Sequence, residues 1–324
     1  MNIAIIGSGV FGIANAIALS HNKNNRIKMW TESDESLNRI NASRDNFGAL
    51  GGLKIPDMIS FTTSYEEVLK DAQIVLLMTS AKFIDSVAKS MKPYINSKMI
   101  FVIGSKGIEQ GSCRFVHEVF KDNIRTKNLG VISGPSFAID IANLEPTALS
   151  CATKSNIVFN MLKEAYKDTN IKLRRSKDLI GTELSGSIKN VIAIASGILE
   201  GLGYKESTRA FLITESLHDI KGLIYALGGS KNSILSYAGV GDLLLTATST
   251  KSRNYSYGLL LAQDKNKADK YLEETTVEGY YTLKSIYSLL KKKKVKMPLI
   301  DLIYKVVMNN EEPNKLVEFL MKKD

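Results

Sequence analysis

Two segments of the chain combine residue types and spacing suited to chemistry. The first is Gly7-Ser8-Gly9-Val10-Phe11-Gly12. In a G-x-G-x-x-G run the first glycine permits a tight turn. The second lets backbone approach a pyrophosphate, and the third lets a helix pack closely on a strand. A helix that starts there turns free N–H groups and the positive end of its dipole towards an anion. The second segment is Gly186-Ser187-Ile188-Lys189-Asn190-Val191-Ile192, which opens an apolar run reaching Ile198. A lysine in such a helix either snorkels to water or takes part in a reaction. Its ammonium can protonate a carbonyl oxygen that becomes alkoxide as hydride arrives, and burial can tune its pKa for the return of that proton.

Positioning these groups takes two kinds of element. Short apolar runs over residues 2–6, 26–30, 74–78, 99–103, 129–132, 147–152 and 171–174 read as strands. Helical patterns over 10–21, 65–70, 82–91 and 113–120 separate them, which predicts βαβ units and a mainly parallel sheet. The glycine run thus falls between a first strand and a first helix, the context that gives it specificity. Further on, Trp30-Thr31-Glu32 closes the second strand. Glu32 there can accept from a ribose 2′-OH and repel a 2′-phosphate, which leans towards NAD; the alternative is that Glu32 points to solvent while Arg39 or Arg44 holds the phosphate. Residues 41–56 are rich in Gly and Asn and read as a surface loop. From about residue 181 helical patterns dominate, over 184–201, 207–227, 254–263, 276–292 and 300–309. The expected fold class is α/β, with an N-terminal Rossmann-like dinucleotide-binding domain over 1–180 and a C-terminal all-α domain over 181–324 that binds substrate.

Composition narrows the function further. Two cysteines and three histidines, scattered without ligand spacing, point to no metal and to a reducing compartment. No apolar run is long enough to span a membrane. No basic start with a cleavage site follows Met1, so the chain is expected in the cytoplasm. A net charge of +10 suits anionic ligands in general. Lys291 to Lys294 read as a solvated face, and no aromatic-basic interleaving points to nucleic acid.

The order of motifs resembles the bacterial-type NAD(P)-dependent glycerol-3-phosphate dehydrogenases across nearly the whole chain. After the glycine run come Ser105-Lys106-Gly107-Ile108-Glu109, Ser133-Gly134-Pro135-Ser136-Phe137-Ala138 and Glu183-Leu184-Ser185-Gly186-Ser187-Ile188-Lys189-Asn190-Val191-Ile192-Ala193. Ala238-Gly239-Val240-Gly241-Asp242-Leu243, Ser252-Arg253-Asn254 and Val277-Glu278-Gly279 follow. The resemblance implies interconversion of dihydroxyacetone phosphate and sn-glycerol 3-phosphate with NAD(P)H, supply of phospholipid synthesis, and a homodimer. It implies Lys189 as the catalytic proton group, Asp242 as the carboxylate that tunes it, and Lys106 facing both substrate and cofactor. Gly134, Ser136, Asn190, Ser252, Arg253 and Asn254 would complete the substrate site. Gly7, Gly9, Val10, Phe11, Gly12, Glu32, Ala138, Arg253 and Glu278 would hold the cofactor. Ser252 as N-cap would set Arg253 and free N–H groups at a dipole end suited to phosphate; it also reads as a plain cap, and Glu278 as a plain helix charge.

The chain departs from the commoner family pattern in having Ser105 before the Lys-Gly pair, Val10 and Phe11 before Gly12, and Glu32 where a basic residue or His is frequent. The last departure turns the cofactor expectation away from NADPH. Two other readings remain open at this point. β-Hydroxyacid or 6-phosphogluconate-type dehydrogenases carry an amide four residues past their helix lysine, where this chain has Ala193. A non-catalytic NAD(H) sensor would not need Lys106, Lys189, Asp242 and Arg253 together.

Overall fold

The computed structural model describes residues 1–45, 48 and 50–322. The chain divides into two compact units, Met1–Ser105 with Val116–Leu179 and Lys106–Phe115 with Ile180–Asp324.

One sheet organises the first unit. Its strands are β1 (Asn2–Ile6), β2 (Arg26–Trp30), β3 (Ile59–Thr62), β4 (Ile74–Leu77), β5 (Ile100–Ile103), β6 (Leu129–Ser133), β7 (Thr147–Thr153) and β8 (Ile171–Ser176), in the order β3-β2-β1-β4-β5-β6-β7-β8. Every neighbouring pair is parallel except β6 with β7. Side chains alternate across the sheet with a period of two. Ile3 and Ile5 therefore join the cluster built with Ile13 and Ile17, while Ala4 and Ile6 join Leu77, Phe101 and Phe120 on the other face. Helices covering both faces allow strands this apolar. Strand order reverses between β1 and β4, where an open parallel sheet binds ligands beyond its carboxyl ends.

Elements with weak apolar patterns appear only in the structure. β3 has one fully buried residue, Ile59. The helix Asp34–Ser43 buries only Ile40 and is started by the Ser33 side chain, which accepts from the Ser36 amide, with Asp34 and Glu35 in its first turn. It takes in 41–43 of the expected loop, while Asn46, Phe47 and Ala49 lie outside the described residues. The helix expected over 113–120 starts later, at Val116. Cys113 has φ +55° and Phe115 pairs with Ile108 in an antiparallel bridge, so neither can sit in its first turn.

The second unit is helical. Its centre is Leu179–Gly201, buried on every side from residue 181 to 199, polar residues included. Glu206–Ala226, Asp242–Ala247, Arg253–Gln263, Lys265–Glu274, Glu278–Lys293, Pro298–Asn309 and Lys315–Leu320 complete the unit. Its core gathers Ile188, Ile192, Ile198, Leu283, Ile286 and Ile303 with Ile108 and Phe115 of the 106–115 excursion. Lys291 to Lys294 are exposed. No helix among the described residues is long and apolar enough to cross a membrane.

Candidate active site

The glycine run lies where β1 meets the helix Val10–Ser20. Gly7 has φ +115° and passes against the backbone of Met78, past the end of β4. A methyl group on Gly12 would strike the Gly7 carbonyl oxygen, and one on Gly9 would meet open space. The serine caps before Asp34, Tyr65 and Asn156 each accept an amide of their own first turn, whereas Gly9 caps Val10–Ser20 with no side chain. This helix start thus carries no side-chain cap, and the open space at Gly9 fits a dinucleotide pyrophosphate. Val10 is exposed and Phe11 half-buried.

Beyond β2 a hydroxyl chain runs from the glycine run to Glu32. Ser8 Oγ donates to Thr31 Oγ1 at 2.8 Å, and Thr31 Oγ1 donates to Glu32 Oε2 at 3.2 Å. Ser36 Oγ adds a 3.3 Å bond to Glu32 Oε1. Arg44 is committed elsewhere: its guanidinium donates to the carbonyls of Ile55, Pro56 and Ile59, lies over Phe61 and faces Asp57. Arg39 is exposed. Gly134, Ser136 and Ala138 follow β6. A methyl on Gly134 would strike the Ala148 carbonyl oxygen, and Ser136 Oγ donates to the Gly134 carbonyl at 2.9 Å.

In the second unit Lys106, Lys189 and Asp242 come together. Asp242 is 1% exposed and opens Asp242–Ala247 directly after the wide turn Tyr237–Gly241, not from a simple glycine turn. Lys189 is 6% exposed, so it does not snorkel. Its ammonium donates to Asp242 Oδ1 and, at 2.9 Å, to Thr246 Oγ1. Lys106 Nζ donates to Asp242 Oδ2 at 2.9 Å. Burial pushes Lys189 down to about 8; Asp242 opposes this and Lys106 reinforces it. Thr246 is the member that motif reading missed, although its position one helical turn after Asp242 places it on the same face.

A second polar group adjoins this helix. Asn190 Nδ2 donates to Glu278 Oε2 at 3.2 Å, and Asn190 Oδ1 accepts from Asn254 Nδ2 at 3.1 Å. Asn254 Oδ1 in turn accepts from the Gly279 amide at 2.7 Å. Glu278 is half-buried in the first turn of Glu278–Lys293. Ser252 caps Arg253–Gln263 by accepting from the Tyr255 amide at 3.3 Å, and Arg253 is exposed at that helix start. No group of His, Cys, Asp and Glu suited to a metal occurs among the described residues.

A glycine turn suited to a dinucleotide in one unit and a buried lysine on a carboxylate in the other mark the class of nicotinamide-dependent dehydrogenases. Residues 2–158 match the model of the NAD-dependent glycerol-3-phosphate dehydrogenase N-terminus, and residues 178–318 match that of the C-terminus. The NAD(P)+ glycerol-3-phosphate dehydrogenase of Staphylococcus epidermidis is 34% identical over 99% of this chain and 98% of its own length. The crystal structure of glycerol-3-phosphate dehydrogenase from Coxiella burnetii superposes with a TM-score of 0.92 at 30% identity, covering 99% of both chains. The yeast enzyme, at 20% identity, shares the fold with a TM-score of 0.85 over 99% of both chains. The chain belongs to the NAD-dependent glycerol-3-phosphate dehydrogenase family.

Proposed function

We propose that Lys189 is the proton donor and acceptor in the interconversion of dihydroxyacetone phosphate and sn-glycerol 3-phosphate. The observation that carries this reading is a buried ammonium held on Asp242 and Thr246 with Lys106 beside it. When bound, the dinucleotide supplies the hydride that C2 receives. Lys189 Nζ gives its proton to the C2 oxygen and is left as the neutral amine, which its burial favours. In the reverse direction that amine takes the hydroxyl proton, and Asp242 stabilises the ammonium so formed. Lys106 adds a second cation for the developing negative charge on oxygen. Ser252, Arg253 and Asn254, at a helix start, hold the substrate phosphate, and Asn190 orients the substrate beside Lys189. Gly134 and Ser136 also contact substrate.

The sheet-bearing unit binds the cofactor through Gly7, Gly9, Val10, Phe11, Gly12, Glu32 and Ala138, the helical unit, which takes in 106–115, binds substrate, and Lys106, Arg253 and Glu278 also meet the cofactor. The hydroxyl-supported Glu32 and the committed Arg44 support a preference for NADH. The enzyme supplies glycerol 3-phosphate for phospholipid synthesis in the cytoplasm, consistent with two free cysteines. A homodimer accords with side chains more than half exposed at Tyr225, Leu235 and Leu244.

Lys189→Ala tests the central role. Turnover is expected to fall on the order of 10²- to 10⁴-fold, the usual contribution of a positioned acid–base group. Cofactor binding, followed by quenching of protein fluorescence, stays as in the parent. A variant that keeps its activity overturns the assignment.

A further inference from the structure

The residues 106–115 leave the first unit after β5 and belong to the second. They form a short strap closed on itself: Ile108 bridges Phe115, the Glu109 amide donates to the Arg114 carbonyl at 3.0 Å, and the Glu109 carboxylate accepts from the Gly111 and Ser112 amides. Ile108 and Phe115 anchor the strap in the helical core. Lys106 lies at its start, next to Gly107, whose φ of +129° only glycine adopts readily. The buried Gly107 amide donates to Ser187 Oγ at 3.1 Å. Ser187 is wholly buried and its hydroxyl hydrogen goes to the Glu183 carbonyl one turn back, at 2.7 Å. A lone pair thus remains for the amide.

We propose that Ser187 is a positioning residue for the reaction: by accepting the Gly107 amide it clamps the Lys106 strap to the catalytic helix and holds the Lys106 ammonium on Asp242. Ser187 stands two residues before Lys189 on one rigid helix, so this bond sets the register of both ammoniums against the two oxygens of one carboxylate. An apolar side chain at 187 would suit the core equally but would leave the strap unregistered and the Gly107 amide buried without an acceptor. The proposal rests on Lys189 and Lys106 acting as described under Proposed function.

The test compares wild type, Ser187→Ala, Lys106→Met and the double variant by steady-state kinetics across pH. Asp242 and Lys106 are the charged groups that act on Lys189. Releasing Lys106 therefore raises the pH at which Lys189 loses its proton. In Ser187→Ala the alkaline limb of dihydroxyacetone phosphate reduction is expected to move up by about one unit, the scale of a displaced like charge. kcat is expected to fall roughly ten- to a hundred-fold, as for a slightly misplaced group. In the Lys106→Met background the same serine change has no further effect on either quantity. A limb that stays in place, or losses that simply multiply in the double variant, makes Ser187 a packing residue and overturns the proposal. If Ser187→Ala does not fold, Ser187→Cys, close in volume and a far weaker acceptor, is read by the same two criteria. A wild type without an alkaline limb would instead refute the role of Lys189, leaving the two failures distinguishable.

Discussion

Lys189 is subject to two opposing influences, burial that disfavours its charge and Asp242 that favours it, with Lys106 on the side of burial. Below about 8 the group is an ammonium and can donate; above it the group is an amine and can accept. Dihydroxyacetone phosphate reduction is therefore expected to be flat at lower pH and to fall above about 8, by about tenfold per unit. Glycerol 3-phosphate oxidation should rise over the same range and level off. Initial rates in both directions across pH check this, and two flat profiles through that range would contradict it. Lys189, Lys106 and Asp242 were legible in the sequence because each sits in a recognisable motif. Thr246 was not, and Ser187 was read only as part of the Lys189 motif, because a hydroxyl within a helix shows no partner until the fold places it. The snorkelling alternative for Lys189 could be decided only by burial on all sides of its helix, which depends on neighbours far away in sequence.

Helices Leu179–Gly201 and Arg253–Gln263 pack at backbone contact. A methyl on Gly258 would meet the Ile194 carbonyl oxygen, and one on Gly197 the Tyr255 carbonyl oxygen. This close approach lets Asn254 reach Asn190, so the element that carries Ser252 and Arg253 is set by glycine packing. Gly258→Ala is expected to destabilise the protein by about 1–3 kcal/mol through overpacking and to raise the KM for dihydroxyacetone phosphate more than that for cofactor. Thermal unfolding with paired KM measurements checks this; an unchanged melting temperature would show that the helices separate freely. Long helices were readable from their period of 3.6, and buried strands as short continuous apolar runs. Lys265–Glu274, with Ala268 as its one buried residue, and β3 were not, because they contribute little to the core. The wide turn before Asp242 also escaped sequence reading, since Gly239 departs there from helical geometry at φ −84° and ψ −111°.

At the scale of the molecule, the chain forms a sheet-bearing unit and a helical one and sends residues 106–115 from the sheet into the helical unit. The α/β plan was legible because strands and helices alternate through one half of the sequence and strands vanish from the other. The excursion was not, because no compositional break marks its ends. A basic balance of +10 suits a substrate and cofactor that both carry phosphate. The most direct measurement is oxidation of NADH and of NADPH, followed by absorbance, with dihydroxyacetone phosphate as acceptor in wild type and Lys189→Ala. The expected result is substrate-dependent turnover by wild type, with a higher kcat/KM for NADH because Glu32 disfavours a 2′-phosphate, and its near-complete loss in the variant. Tight cofactor binding with no turnover of either nucleotide would contradict the proposed reaction and point to a sensor or a different carbonyl substrate.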